Sequence, residues 1–244
     1  MTHQNHRDVW VDGAQYRIIP TKFPPINFFE RFTPPELMEE TFEIESLTNE
    51  RLQEAVGELT HVAVKDRVSG PGASVVMAAF THTGYASRFT NGDYGVYYAA
   101  RDLDTAIHET VYHRERFLGF TSEPPCEIDM RVYKGTVQKP LIDLRSESYS
   151  HLMQAAPEEY PVSQKFGASL RATDCYGVLY PSVRNLGGEC IAAFRPTAIS
   201  LPVQSKWLVY HWNGECVDKV YEKKEILIDL KKSQTEEEPN LTLC

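Results

Sequence analysis

The run Thr105-Ala106-Ile107-His108-Glu109 holds an acid whose position decides what it can do. The pattern predicts a helix from Thr105 to about Leu118, with Asp104 as N-cap and an apolar stripe of Ile107, Val111, Phe117 and Leu118. Glu109 lies two residues from Ile107, roughly 200° around such a helix, so its carboxylate faces water or a cleft. In a cleft, a carboxylate can stabilise developing positive charge. Two other segments carry polar residues in apolar surroundings. One runs Ala86-Ser87-Arg88-Phe89 and on through Gly92-Asp93-Tyr94-Gly95-Val96-Tyr97-Tyr98-Ala99-Ala100. The other runs Tyr176-Gly177-Val178-Leu179-Tyr180-Pro181-Ser182-Val183-Arg184 and on through Gly187 to Phe194. An arginine offers an anion a bidentate fork, and a serine hydroxyl donates or accepts.

Each of these residues also has an ordinary structural reading. Glu109 alone is a solvated helix glutamate, Arg88 a surface or ion-pair arginine, Tyr98 a core aromatic and Ser182 a turn cap after Pro181. Arg17, in Tyr16-Arg17, straps an aromatic segment to a core equally well. Arg184 anchors a phosphate or pairs with an acid, and His108 and His113 read as surface or packing residues.

Several familiar chemistries are absent. His108 and His113 are five apart, about 140° off one another, whereas a helical zinc-protease pair needs i and i+4. Gly70-Pro71-Gly72 and Gly187-Gly188 are too short for a phosphate-cradling motif, and no Gly-x-Ser-x-Gly elbow occurs. No metal site is expected.

The elements that must position these groups are short. Pro20, Pro24, Pro25, Pro34 and Pro35, with Phe23, Phe28, Phe29 and Phe32 between them, predict an N-terminal strap over residues 1–70. Within it, helices are expected from Pro34-Pro35 through Glu43 and from Asn49 to Val56. Residues 71–222 form the main domain. Strands are expected at Ser74–Thr81, Tyr94–Ala100, Cys126–Val132, Leu141–Leu144, Gly177–Tyr180, Cys190–Phe194, Trp207–Trp212 and Val217–Tyr221. In Tyr94–Ala100, Tyr97 and Tyr98 face opposite ways, with Tyr97 the core residue. A helix is expected at Ser163–Ala172, and the charged tail, residues 231–244, reads as frayed or disordered. Strands and helices do not alternate regularly, so the class is α+β rather than a doubly wound sheet.

The chain has 244 residues, 42% hydrophobic and 24% charged, the make-up of a soluble globular protein. Its longest apolar run, Val75–Phe80, is far short of the ~20 residues of a membrane span, and Thr2–Asp8 is all polar, unlike a leader. The net charge of −9 disfavours broad nucleic-acid coating but allows a local basic pocket. Five widely spaced cysteines (Cys126, Cys175, Cys190, Cys216, Cys244) fit reduced thiols in a cytoplasm.

The three segments together resemble the RES domain family, named for its arginine, glutamate and serine: Arg88, Glu109 and Ser182 fall in the matching places and order. Tyr98 matches the tyrosine of the strand before the helix, and Tyr16-Arg17 resembles an upstream Tyr-Arg. The chain departs from the family pattern in its longer strap, its acidic tail and Phe89, where a tryptophan is common. The resemblance implies an ADP-ribosyltransferase-like domain with a bent, split β-sheet around an NAD cleft. It implies NAD as substrate rather than cofactor, cleaved by phosphate or water, with protein ADP-ribosylation or non-catalytic NAD binding as alternatives. It also implies a toxin role and a helix-turn-helix antitoxin partner. On this reading Glu109 stabilises oxocarbenium-like charge on the ribose. Arg88 and Arg17 hold the pyrophosphate, Tyr98 stacks on nicotinamide, and Ser182 donates to a phosphate or the nicotinamide amide.

Overall fold

The computed structural model describes residues 6–21, 29, 34–46 and 56–224. Its strands are β1 (Asp8–Val9), β2 (Ala14–Pro20), β3 (Tyr97–Ala100), β4 (Cys126–Thr136), β5 (Leu141–Asp143), β6 (Gly177–Pro181), β7 (Glu189–Ala193), β8 (Val203–Trp212) and β9 (Val217–Lys223). The described helices are α1 (Met38–Ser46), α2 (Ala73–Thr81), α3 (Leu103–Leu118) and α4 (Pro161–Arg171). One sheet holds all nine strands in the order β1-β5-β6-β7-β3-β2-β4-β8-β9. Neighbours run antiparallel except β5 and β6, which are parallel. A large sheet flanked by helices, without regular alternation, is the expected α+β class.

The sheet is weakest in the middle. β2 and β4 pair continuously from Ala14↔Thr136 to Pro20↔Met130, whereas β2 meets β3 only at Tyr16↔Ala100. Five strands on one side and four on the other are thus joined at one pair, and the sheet splits there. The two faces carry separate cores. Ala73, Val76, Met77 and Phe80 of α2 pack with Tyr97, Ala99 and Ile191 on one face. Ala106 of α3 and Leu170 of α4 pack with Ala100, Tyr180 and Cys190 on the other, with Tyr98 against them.

Four local expectations are corrected. Residues 14–20 are not a strap over the core but an interior strand, because Pro20 stands at the strand's end and leaves the ladder before it intact. Ser74–Thr81 is helical: its buried residues 73, 76, 77 and 80 follow helix spacing, which a continuous apolar run conceals. Tyr94–Val96 precedes β3, since Gly95 lies against the α2 backbone, where an added Cβ would sit 2.2 Å from the Ala79 carbonyl oxygen. The N-cap of α3 is Asp102, not Asp104; its carboxylate accepts from the Thr105 N–H at 2.7 Å and the Thr105 hydroxyl at 2.8 Å. Of the expected stripe, Leu118 is buried and Ile107 and Val111 pack partly buried against the core, whereas Phe117 is exposed and Thr105 and Ala106 are buried instead.

A 3-10 turn at Pro35–Leu37 runs into α1, as the proline pair predicts. The expected helix at Asn49–Val56, apart from Val56, and the tail at 231–244 lie outside the described residues. Among the described residues no helix is long and apolar enough to cross a membrane.

Candidate active site

Where β2 parts from β3, a cavity of about 500 Å³ opens beside α3. That falls within the roughly 300–1,000 Å³ range of small-molecule sites. The β2 residues Tyr16–Pro20 and the β3 residues Tyr98–Ala100 line it. So do Ala106, Glu109, Thr110, His113 and Arg114 on one face of α3. Tyr85, Ser87 and Arg88 close it from the loop before β3, with Tyr160, Tyr180 and Cys190 completing the wall. Its lining carries three guanidiniums, Arg17, Arg88 and Arg114, against one carboxylate, Glu109. That balance favours an anionic ligand in a protein of net negative charge.

Glu109 faces this cavity, as its position off the expected stripe allows. Its Oε1 accepts the Ser182 hydroxyl at 2.6 Å and lies 3.6 Å from the Cys190 thiol. Ser182 follows β6 directly, and its oxygen accepts the backbone N–H groups of Arg184 and Asn185 at 3.1 and 3.0 Å. Its one proton is therefore committed to Glu109 rather than held free for a phosphate or an amide.

Arg88 is buried and fixed by neutral partners. One terminal nitrogen donates to the carbonyls of Leu152 and Gln154 at 3.2 and 2.8 Å, and the other reaches the Tyr160 hydroxyl at 3.4 Å. The guanidinium lies over the Tyr160 ring, 4.7 Å from its centroid. The loop beneath it is pinned to α4: Ser163 donates to the Arg88 carbonyl at 2.7 Å and Gln164 to the Ser87 carbonyl at 3.0 Å. Gly167 permits that approach, since an added Cβ would sit 2.4 Å from the Phe89 carbonyl oxygen. Phe89 is fully buried, edge-on to Tyr180 and Phe194.

Tyr98 joins strand and loop. Its hydroxyl contacts Ser87 Oγ at 2.8 Å and accepts the Phe89 N–H at 3.0 Å, and burial pushes its pKa up to about 12. The neutral phenol thus holds the segment that carries Arg88. Tyr97, on the opposite face, is buried against Gln15, whose amide donates to its hydroxyl at 3.1 Å. Arg17 spans the split, donating to the Tyr98 carbonyl at 2.9 Å with its guanidinium 4.5 Å from the centre of the Tyr97 ring. Its Nε is buried without a hydrogen-bond partner.

Glu109, Arg88, Tyr98 and Arg17 therefore line one cavity, and Ser182 is tied to it through its hydrogen bond to Glu109. His113, read as a surface or packing residue, lines the cavity, whereas His108 is exposed, 3.9 Å from Asp104. Arg184 forms no ion pair among the described residues: it lies over the Tyr112 ring, 3.4 Å from the centroid, and donates to the Ala155 carbonyl. Sequence reasoning missed Arg114, Tyr160 and Cys190. Arg114 had a signal, at i+4 from Thr110 and i+8 from Ala106 on the cavity side of one helix. Tyr160 and Cys190 had none, because folding alone brings them to the site.

A model of the RES domain matches residues 66–213. The chain is similar to the uncharacterized protein y4oC of Sinorhizobium fredii, 29% identical over 221 residues, covering 88% of this chain and 89% of that one. Among solved structures, a chain of the M. tuberculosis MbcT-MbcA toxin-antitoxin complex aligns over 81% of this chain and 86% of its own, with 10% identity and a TM-score of 0.39. The RES match spans more than half of the sequence and includes Arg88, Glu109 and Ser182, so the chain belongs to the RES domain family, whose toxins are generally NAD-consuming enzymes.

Proposed function

We propose that this cavity binds NAD and that the protein cleaves the bond between nicotinamide and ribose, as a glycohydrolase or phosphorylase of toxin type. One observation carries the reading: the Glu109 carboxylate and the Arg88 guanidinium, far apart in sequence, line the same cavity. A dinucleotide needs both, a guanidinium for its pyrophosphate and a carboxylate for the ribose that becomes electron-poor.

As the glycosidic bond breaks, its electron pair goes to the nicotinamide ring nitrogen, which leaves neutral. The ribose carbon gains oxocarbenium character, which Glu109 stabilises from the cavity wall. Water then adds to that carbon and releases a proton to solvent, or hydrogen phosphate adds through an anionic oxygen with no proton to lose. Arg88, held by two carbonyls and stacked on Tyr160, is pre-oriented for the pyrophosphate. On this reading the Tyr98 ring, which lines the cavity, stacks on the flat, cationic nicotinamide. In a toxin of this kind a helix-turn-helix antitoxin would cover the cleft.

The test is to incubate purified protein with NAD, with and without inorganic phosphate, and to measure nicotinamide. Release is expected, with phosphate dependence separating phosphorylase from glycohydrolase. Glu109→Ala should abolish it while the protein stays folded, because Glu109 lines the cavity rather than the core. No release under either condition overturns the proposal. Transfer of label from NAD to protein in lysate would reassign the acceptor to a protein.

A further inference from the structure

Glu109 Oε1 meets two donors that come from neighbouring strands. Ser182 leaves the end of β6 and Cys190 stands on β7, and the two strands are hydrogen-bonded to each other. Both contacts, 2.6 Å from oxygen and 3.6 Å from sulfur, fall on the same carboxylate oxygen. Neither donor is loosely held. Ser182 is oriented by the two N–H groups it accepts. Cys190 is 2% exposed in mid-sheet, opposite Tyr180 on one side and Ala100 on the other. A buried cysteine usually behaves as a small hydrophobe. This one lies against a carboxylate and lines the cavity.

We propose that Cys190 is a positioning residue for Glu109: together with Ser182 it holds Oε1 against the sheet and thereby presents Oε2 to the ligand. The inference rests on the NAD-cleaving reading and deepens it. The thiol acts through the carboxylate and needs no contact with substrate. Burial and the neighbouring Glu109 raise its pKa well above the usual thiol range, so it remains a donor across the physiological range. The other titratable groups lining the cavity, among them Arg17, Arg88, Tyr98, His113, Arg114 and Tyr180, are all retained in the test.

Three variants separate positioning from packing. Cys190→Ser keeps a donor in less volume, Cys190→Val keeps apolar bulk without a donor, and Cys190→Ala removes both. If the thiol orients Glu109, the Ser variant keeps most of the wild-type kcat for nicotinamide release. The Val and Ala variants then lose about tenfold, with KM for NAD little changed. If the thiol only fills space, the order reverses and Val matches or exceeds Ser; that order overturns the proposal. Should Cys190→Val fail to fold, Cys190→Ala supplies the donor-free comparison.

A second readout does not depend on turnover. Crystal structures of the full-length wild type, Cys190→Val and Cys190→Ser read the position of the carboxylate directly. Removing the donor frees one side of Oε1, so the Glu109 carboxylate turns away from β7 in Cys190→Val and stays in Cys190→Ser. Protein that shows this turn but releases no nicotinamide would refute the NAD reading and keep the clamp. Protein that cleaves NAD equally well as wild type and as Cys190→Val, with the carboxylate unmoved, would refute the clamp and keep the function.

Discussion

Truncating Ser182 to alanine should separate orientation of Glu109 from substrate binding, and its size follows from the contacts. The hydroxyl donates to an acidic oxygen at 2.6 Å. Hydrogen bonds to charged groups contribute about 1.5–3 kcal/mol, which corresponds to about 10- to 150-fold in rate. The loss should fall on kcat, because the hydrogen bond that Ser182 donates goes to Glu109. The same change strands the N–H groups of Arg184 and Asn185. Both residues are half-buried, so water replaces part of what is lost and the stability cost stays near about 1 kcal/mol. For a chain of this length that lowers Tm by about 2–4 °C. Initial rates of nicotinamide release over a range of NAD concentrations, with a calorimetric melt of each protein, read both effects. A variant with wild-type kcat and a raised KM would refute the reasoning, since Ser182 would then be binding NAD rather than holding the carboxylate.

Three further outcomes follow from contacts around the cavity. Gly167→Ala gains helix propensity but drives a Cβ to 2.4 Å from the Phe89 carbonyl oxygen, so the clash decides the sign. Overpacking of about 1–3 kcal/mol should lower Tm by about 2–12 °C, and the displaced Arg88 loop should raise KM for NAD. Asp102→Ala removes both bonds to Thr105 at the start of α3 and should cost about 1 kcal/mol by thermal melt, more than Asp104→Ala, whose exposed carboxylate has only longer contacts with Asn185 and His108. Asp143 receives a bidentate fork from Arg145 at 2.8 Å on each oxygen, and these bonds hold its pKa below the usual 3.8. A lowered folded-state pKa means that stabilisation is present above 3.8 and lost as pH falls through the folded value. The stability difference between wild type and Asp143→Asn should therefore be largest near neutrality and shrink below pH 3.8; a constant difference would contradict the assignment.

The direction in which residues face along a single element was legible without coordinates. Glu109 turns from the expected stripe of its helix, Tyr97 and Tyr98 take opposite faces of β3, and the alternation from Cys126 to Val132 lies within β4. Side-chain direction repeats with the local backbone period, which neighbouring residues reveal. Where that signal was ambiguous, it misled: an unbroken apolar run satisfied strand and helix alike, and two nearby aspartates both suited the start of α3.

The sequence by itself determined the chemical types at the site, their order, the α+β class and the face that Glu109 presents. Tertiary structure alone decided that residues 14–20 enter the sheet, that the sheet splits beside them, and that Cys190 meets Glu109. Strand partners are chosen by pairing energies between distant segments, Pro20 with Met130 or Tyr16 with Ala100, which no local window contains. A cavity is the space such pairings leave open. Its walls, and the thiol behind the carboxylate, exist only once the chain has closed around them.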